Sequence, residues 1–261
     1  MVNFNTVYKI EWKKLIKRRE LIAFITMIGI PLLYSLGAYF ESSIIVFNSD
    51  EKEYAGSFVI NMLIFGKMLF IYFLIAALFA TKSLGGEIEN RSILLYTQRI
   101  PNRAKIYRAK LISMYSAIIS VIIFYSITSL ILYYVFVVQR EDIATKQFIR
   151  ADEFLNLLYV GFGITFLYLL VISFSMMLST FLKSNTATII FCLIFIVFTF
   201  MANFPVFKYI SFDYYLGELI DMNFTSNFEL TKFFLIYLVL ILVMIITSNR
   251  IGIYLFTRRD L

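Results

Sequence analysis

Residues 111–138 read LISMYSAIISVIIFYSITSLILYYVFVV, 28 positions without one charged side chain. An α-helix rises about 1.5 Å per residue and a bilayer's hydrocarbon core is about 30 Å thick, so roughly 20 such residues cross it. The run is continuously apolar, whereas a strand of an outer-membrane barrel would alternate over about ten residues. It therefore predicts a membrane-crossing helix. Five further stretches fit the same description, near 21–40, 58–80, 154–182, 186–204 and 233–249. The fold class expected is all-α, a polytopic membrane protein with six transmembrane helices.

Composition agrees. Of 261 residues, 61% are hydrophobic and 16% charged, against roughly 45–50% and about 25% in soluble domains. The first run is too long for a signal-peptide core and no small-residue cleavage site follows at Tyr39, Phe40 and Glu41, so it is expected to be retained. Pro31 inside it has no N–H to give to the carbonyl four residues back, which predicts a kink near Met27.

Cytoplasmic loops attract Lys and Arg. With the N-terminus inside, 17 basic residues fall in the inner segments and 6 in the outer ones, with Lys67 left inside the second span. The inner set is gathered in residues 1–20 and in the loop from Lys82 to Lys110. An N-in, C-in topology follows. The net charge of +7 thus marks a choice of membrane side and contact with anionic lipid heads, not nucleic-acid binding.

With no histidine and one cysteine, Cys192, the chain has no His ligand set for zinc or non-haem iron and no His base for a hydrolase. No metal site and no catalytic residue is expected. Cys192 reads as a small buried hydrophobe. Glu87 and Glu89 alone do not make an intramembrane protease, and the spans lack a pair of aspartates for an aspartyl site.

Val7 to Glu20 predicts an amphipathic helix lying on the membrane surface. Tyr8, Trp12, Leu15 and Ile16 make its apolar face, and Lys9, Lys13 and Lys17 recur four apart beside it. Between the second and third spans, Gly85-Gly86 is expected to end one helix. A short half-apolar helix carrying Glu87, Ile88, Glu89, Arg91, Ser92, Leu94, Leu95 and Tyr96 then runs until Pro101 stops it, after Arg99. Such a helix suits docking into a partner's groove.

This segment resembles the first cytoplasmic loop of ABC-2 type transporter permeases, the membrane subunits of bacterial ATP-driven exporters. An acidic pair, a small hydroxyl residue, a Leu pair, then Pro, a basic residue and a later Lys are matched in order by Glu87, Glu89, Ser92, Leu94, Leu95, Pro101, Arg103 and Lys110. Arg91 stands where that family often has Gly. The resemblance implies an interfacial elbow helix over 1–20, a six-helix domain over 21–261, a coupling loop over 81–106 and an outer re-entrant-like segment over 205–232. It also implies a partner ATPase in two copies, which would bind ATP and Mg, and a second permease chain. This chain has no phosphate-binding G-x-x-x-x-G-K-[ST] loop of its own: Gly66-Lys67 has Asn61 in place of the first glycine and Met68 after it.

Lys67, an ammonium in the body of the second span, could line a pathway, be paired, or snorkel outward. Phe and Met side chains along the spans, Phe174, Met176 and Phe195 among them, serve a lipid-facing bundle as well as a cavity. Gly161, Gly163, Ser173, Ser175 and Ser179 give the fourth span a small-residue packing surface. The function expected is export of an amphipathic or hydrophobic substrate across a bacterial plasma membrane, a peptide toxin or bacteriocin foremost. The alternative is a non-transporting sensor or immunity protein on the same scaffold.

Overall fold

The computed structural model describes residues 3–41, 52–100, 102–221, 224 and 226–259. Eleven α-helices are described: α1 Phe4–Ile16, α2 Arg19–Ile25, α3 Gly29–Tyr39, α4 Ala55–Met68, α5 Ile71–Glu89, α6 Ile93–Arg99, α7 Arg103–Val135, α8 Phe154–Leu178, α9 Ser184–Met201, α10 Phe212–Asp221 and α11 Asn227–Arg258. Pro101 and Asn223 lie outside the described residues. Among those described, β pairing is limited to one isolated bridge, Glu53 with Ala144.

Six helical segments are long and apolar enough to cross a membrane, beginning at Arg19, Ile71, Arg103, Phe154, Ser184 and Asn227. Their outward faces support that reading. On α7, Ile119, Ile123, Ile127 and Ile131 follow one another at four-residue spacing, and all are exposed. Such a stripe on several helices at once far exceeds the apolar patch a soluble monomer shows to water.

The first span bends as Pro31 requires: between α2 and α3 the chain tightens into a 3-10 turn over Thr26–Ile28. The second span departs from expectation. In place of one helix over 58–80 there are two, α4 and α5, separated where Leu69 takes an extended backbone at ψ 92°. Gly66 and Lys67 lie just ahead of this point, but the apolar runs on either side join into one span-length stretch and hide the break. The two halves run on end to end. Gly56, near the start of α4, lies by Ile149, just before α8, and Gly85 near the end of α5 lies by Ser179 at the end of α8. The pair together thus runs parallel to α8.

Gly85-Gly86 does not end a helix; α5 continues through both to Glu89. Gly85 permits close approach instead, since a Cβ there would stand 3.1 Å from Ser179 Cβ. Helices α5 and α8 form the enclosed centre, with α11, α7, α9 and α4 around them.

Polar cross-ties run through the apolar interior. The Tyr125 hydroxyl donates to the Met62 carbonyl at 2.8 Å, Tyr237 to the Gly163 carbonyl at 2.6 Å, and Thr81 and Thr188 share a 2.8 Å bond. Tyr115 pairs with Ser173 and accepts from Asn249 Nδ2 at 3.1 Å, joining α7, α8 and α11. In lipid an unpaired hydroxyl has no water to turn to, which favours such bonds. Helices α7 and α11 also meet at Gly252, where an added Cβ would fall 2.7 Å from Cζ of the fully buried Tyr107. Gly252→Ala should therefore destabilise the chain by about 1–3 kcal/mol, read as an earlier thermal transition in nanodiscs.

Candidate functional site

At the end of the bundle that holds the α5–α7 connection, four charged side chains from three helices close a ring. Lys14 Nζ on α1 lies 3.1 Å from Glu11 Oε1 and 2.5 Å from Glu87 Oε1; Lys110 Nζ on α7 lies 2.7 Å from Glu11 Oε2 and 2.8 Å from Glu87 Oε2. Signs alternate round the ring, and each carboxylate receives one ammonium on each oxygen. Lys110 is fully buried and also donates to the Ser83 carbonyl at 3.3 Å. Arg18 stands 3.8 Å from Glu87.

Tyr96 of α6 covers the ring. Its hydroxyl accepts from Lys14 Nζ at 3.0 Å, and its face lies 4.7 Å from the Lys14 ammonium and 5.5 Å from that of Lys110. Thus α6 touches the charges that fix α1 to α5 and α7. Burial by itself would raise the Glu11 carboxyl, but Lys110 and Lys14 hold it below its ordinary value. Burial would likewise lower Lys14, and Glu11 and Glu87 hold it above. The four side chains form a mutually paired set.

The sequence-predicted residues fall into three groups. Glu87 enters the ring, while Glu89 accepts the backbone N–H of Ser184 and so caps the start of α9. Neither lies on the short helix, which begins at Ile93. Ile88 and Ile93 are buried, and Ser92 donates to the Glu87 carbonyl at 3.3 Å. On the outside of α6, Leu95 is 65% exposed, Leu94 is half-buried, and Arg91 is exposed.

Arg91 has a positive φ of 56°, the left-handed region. That region favours glycine, whose missing Cβ removes the steric cost. Arg91→Gly is expected to raise stability by about 1 kcal/mol, measured as a higher melting temperature.

The sequence sets the face of Tyr8, Trp12, Leu15 and Ile16 against the membrane surface; in the structure α1 packs on α7. Helix α1 ends at Ile16, and its buried residues are Val7, Glu11 and Leu15. Tyr8 and Trp12 are half-buried and stack on each other, with the Tyr8 hydroxyl donating to Ser116 Oγ at 3.1 Å. Ile16 is exposed, as are Lys13 and Lys17. The helix is seated against α7 by the ring, so its contacts are set by charge as well as by apolar periodicity.

Lys67, on the last turn of α4, is paired: its Nζ lies 2.7 Å from Asp213 Oδ1 on α10. The two are 16% and 18% exposed at the side chain, so the pair joins the break between α4 and α5 to the segment before the last span. Helix α10 buries Phe212, Tyr215, Leu216 and Leu219 and packs on α8, α9 and α11.

Glu11 was missed by the sequence reading, although a signal was present. It sits four residues from Val7 and four from Leu15, a carboxylate on a buried stripe. No group of residues able to hold a metal ion occurs among those described. No protein-family model matches the chain, and no curated protein does either.

Proposed function

We propose that this chain is the membrane-spanning permease of an ATP-driven exporter of the ABC-2 type, set in a bacterial plasma membrane with both ends in the cytoplasm. A separate ATPase binds ATP and Mg and docks on α6. Two permease chains and two ATPase chains make the working unit. The observation that carries this reading is the position of α6. It offers Leu95 outward while its Tyr96 rests on the ring that locks α1, α5 and α7 together. A displacement of α6 by a partner would thereby be passed to α1 and to the second and third spans at once.

The inner end has further ties that would carry such a motion. Arg103 donates to the Arg259 carbonyl at 2.6 Å, and Arg259 in turn donates to the Thr180 carbonyl. The starts and ends of α7, α11 and α8 are thus linked. Interconversion of two arrangements of these helices would give inward and outward access, each favoured by a different nucleotide state of the partner. A substrate handled within the membrane, such as an amphipathic peptide toxin, suits the short connections outside the bundle.

The test is purification of the chain from its native membrane in mild detergent. Co-purification of a nucleotide-binding subunit that protects α6 from cross-linkers supports the exporter. A folded chain from which every nucleotide-binding protein is absent would move the assignment to a non-transporting membrane protein.

A further inference from the structure

At the opposite end of the bundle from the charged ring, an apolar cavity of about 330 Å³ opens between α4, α7 and α8. Ile60 of α4, Ile127 and Leu130 of α7, and Leu157 and Leu158 of α8 line it, and Phe148 from the α7–α8 connection covers it. Its one hydroxyl, on Ser126, donates to the Ile122 carbonyl of its own helix at 2.9 Å. Walls of this kind give water nothing to bond, and such a cavity stays dry unless an apolar group enters it. Ile127 belongs to the outward apolar stripe of α7 and is 52% exposed, so the cavity opens sideways toward lipid. Its volume is that of about eleven liquid waters, room for one stretch of alkyl chain.

Charge stands at one edge of this opening. The stretch before α4 runs beside the α7–α8 connection. The Thr145 N–H donates to the Glu53 carbonyl at 3.0 Å and the Gly56 N–H to the Phe148 carbonyl at 2.7 Å. Lys52 and Lys146, both exposed, adjoin the paired residues Glu53 and Thr145 on the two stretches that lead to Gly56 and Phe148 of the lining. Nearby acids are engaged elsewhere in part: Glu53 Oε1 accepts from Asn61 at 3.1 Å, and Asp142 is held by Arg140 at 2.6 Å, while Glu141 is exposed.

We propose that this cavity holds one acyl chain of an anionic phospholipid drawn from the leaflet at this end of the bundle, its phosphate met by Lys52 and Lys146. A concave apolar slot beside two cations fits an anionic amphiphile. It fits a second copy of the chain poorly, because like lysines would be brought together. The proposal is independent of the exporter reading, which draws on the other end of the molecule.

The test uses the full chain reconstituted in vesicles of equal phosphatidylglycerol and phosphatidylethanolamine, then released into mild detergent for native mass spectrometry. One phospholipid per chain is expected, enriched in phosphatidylglycerol. Replacing both lysines, Lys52→Glu with Lys146→Glu, should lower that headgroup preference by about fivefold for each lysine. Ile127→Trp should fill the slot and remove the retained lipid whatever its headgroup; Leu158→Trp, from the facing wall, serves if the first variant fails to fold. A lipid-free wild type, lipid retention unchanged in folded tryptophan variants, or a headgroup preference indifferent to the lysines would overturn the proposal. So would a two-chain species lost in Ile127→Trp, which would assign the slot to self-association.

Discussion

Lys110→Met is expected to lower the stability of the chain by about 3–5 kcal/mol, the cost of leaving a buried charge without its partner. Methionine keeps most of the stem's length, so packing changes little and the charge is the variable. Without the ammonium, the Glu11 and Glu87 carboxylates, 2% and 10% exposed, face each other with Lys14 as the cation they still share and Arg18 3.8 Å from Glu87. Adding Glu87→Gln removes one of the two opposed charges and should recover part of the loss. Trp12, the one tryptophan of the chain, sits half-buried on α1 and reports its detachment by fluorescence during thermal unfolding in nanodiscs. A Lys110→Met chain that melts with the wild type would mean that the ring does not hold α1 on the bundle.

The same ring fixes a pH response. Glu11 has its folded value depressed below the ordinary 4.5, so its contribution is complete above 4.5 and lost as pH falls through the folded value. Lys14 is raised above 10.5, so its contribution is complete below 10.5 and lost as pH rises through the folded value. The difference in melting temperature between the wild type and Glu11→Gln should thus stay level from about pH 5 to 10 and narrow only in acid. The Glu11–Lys14 pair thus holds unchanged across physiological pH.

Hydropathy alone marked the membrane-length segments, because a bilayer demands long apolar runs and little else supplies them, but it set the second over 58–80 where the long helix is Ile71–Glu89. Pro31 announced the 3-10 turn at Thr26–Ile28 because a missing N–H is visible in a sequence. The break at Leu69 was obscured: Gly66 and Lys67 precede it, but the long apolar runs on either side join into one span-length stretch. Gly85-Gly86 misled in the other direction, since glycine serves close packing as well as helix termination, and only the neighbouring Ser179 shows which. Of the ring, Glu87 and Lys110 stood out through the loop's pattern. Their partners did not, because the separations between Glu11 and Lys110 and between Lys14 and Glu87 are 99 and 73 residues. A single sequence carries no signal that brings such positions together.

If the proposed exporter assembly is right, Leu95→Asp is expected to abolish retention of its ATPase subunit while leaving this chain folded. Leu95 is 65% exposed on the outer side of α6 and is absent from the ring, so the chain loses no internal contact with it. Buried in a partner's groove, a leucine contributes about 1.5–3 kcal/mol, and a carboxylate placed there would add a desolvation cost of its own. A combined loss near 3 kcal/mol is a drop of more than about 100-fold in affinity, enough to strip the partner during purification. Glu87→Gln makes the informative contrast. It leaves the outer face of α6 untouched but weakens the ring beneath Tyr96, so the ATPase should stay bound while its hydrolysis no longer drives transport. Docking lost in the first variant and transmission lost in the second would separate the two tasks that α6 is proposed to perform. If Leu95→Asp keeps its ATPase at wild-type occupancy, the partner docks elsewhere and the ring has only a structural role.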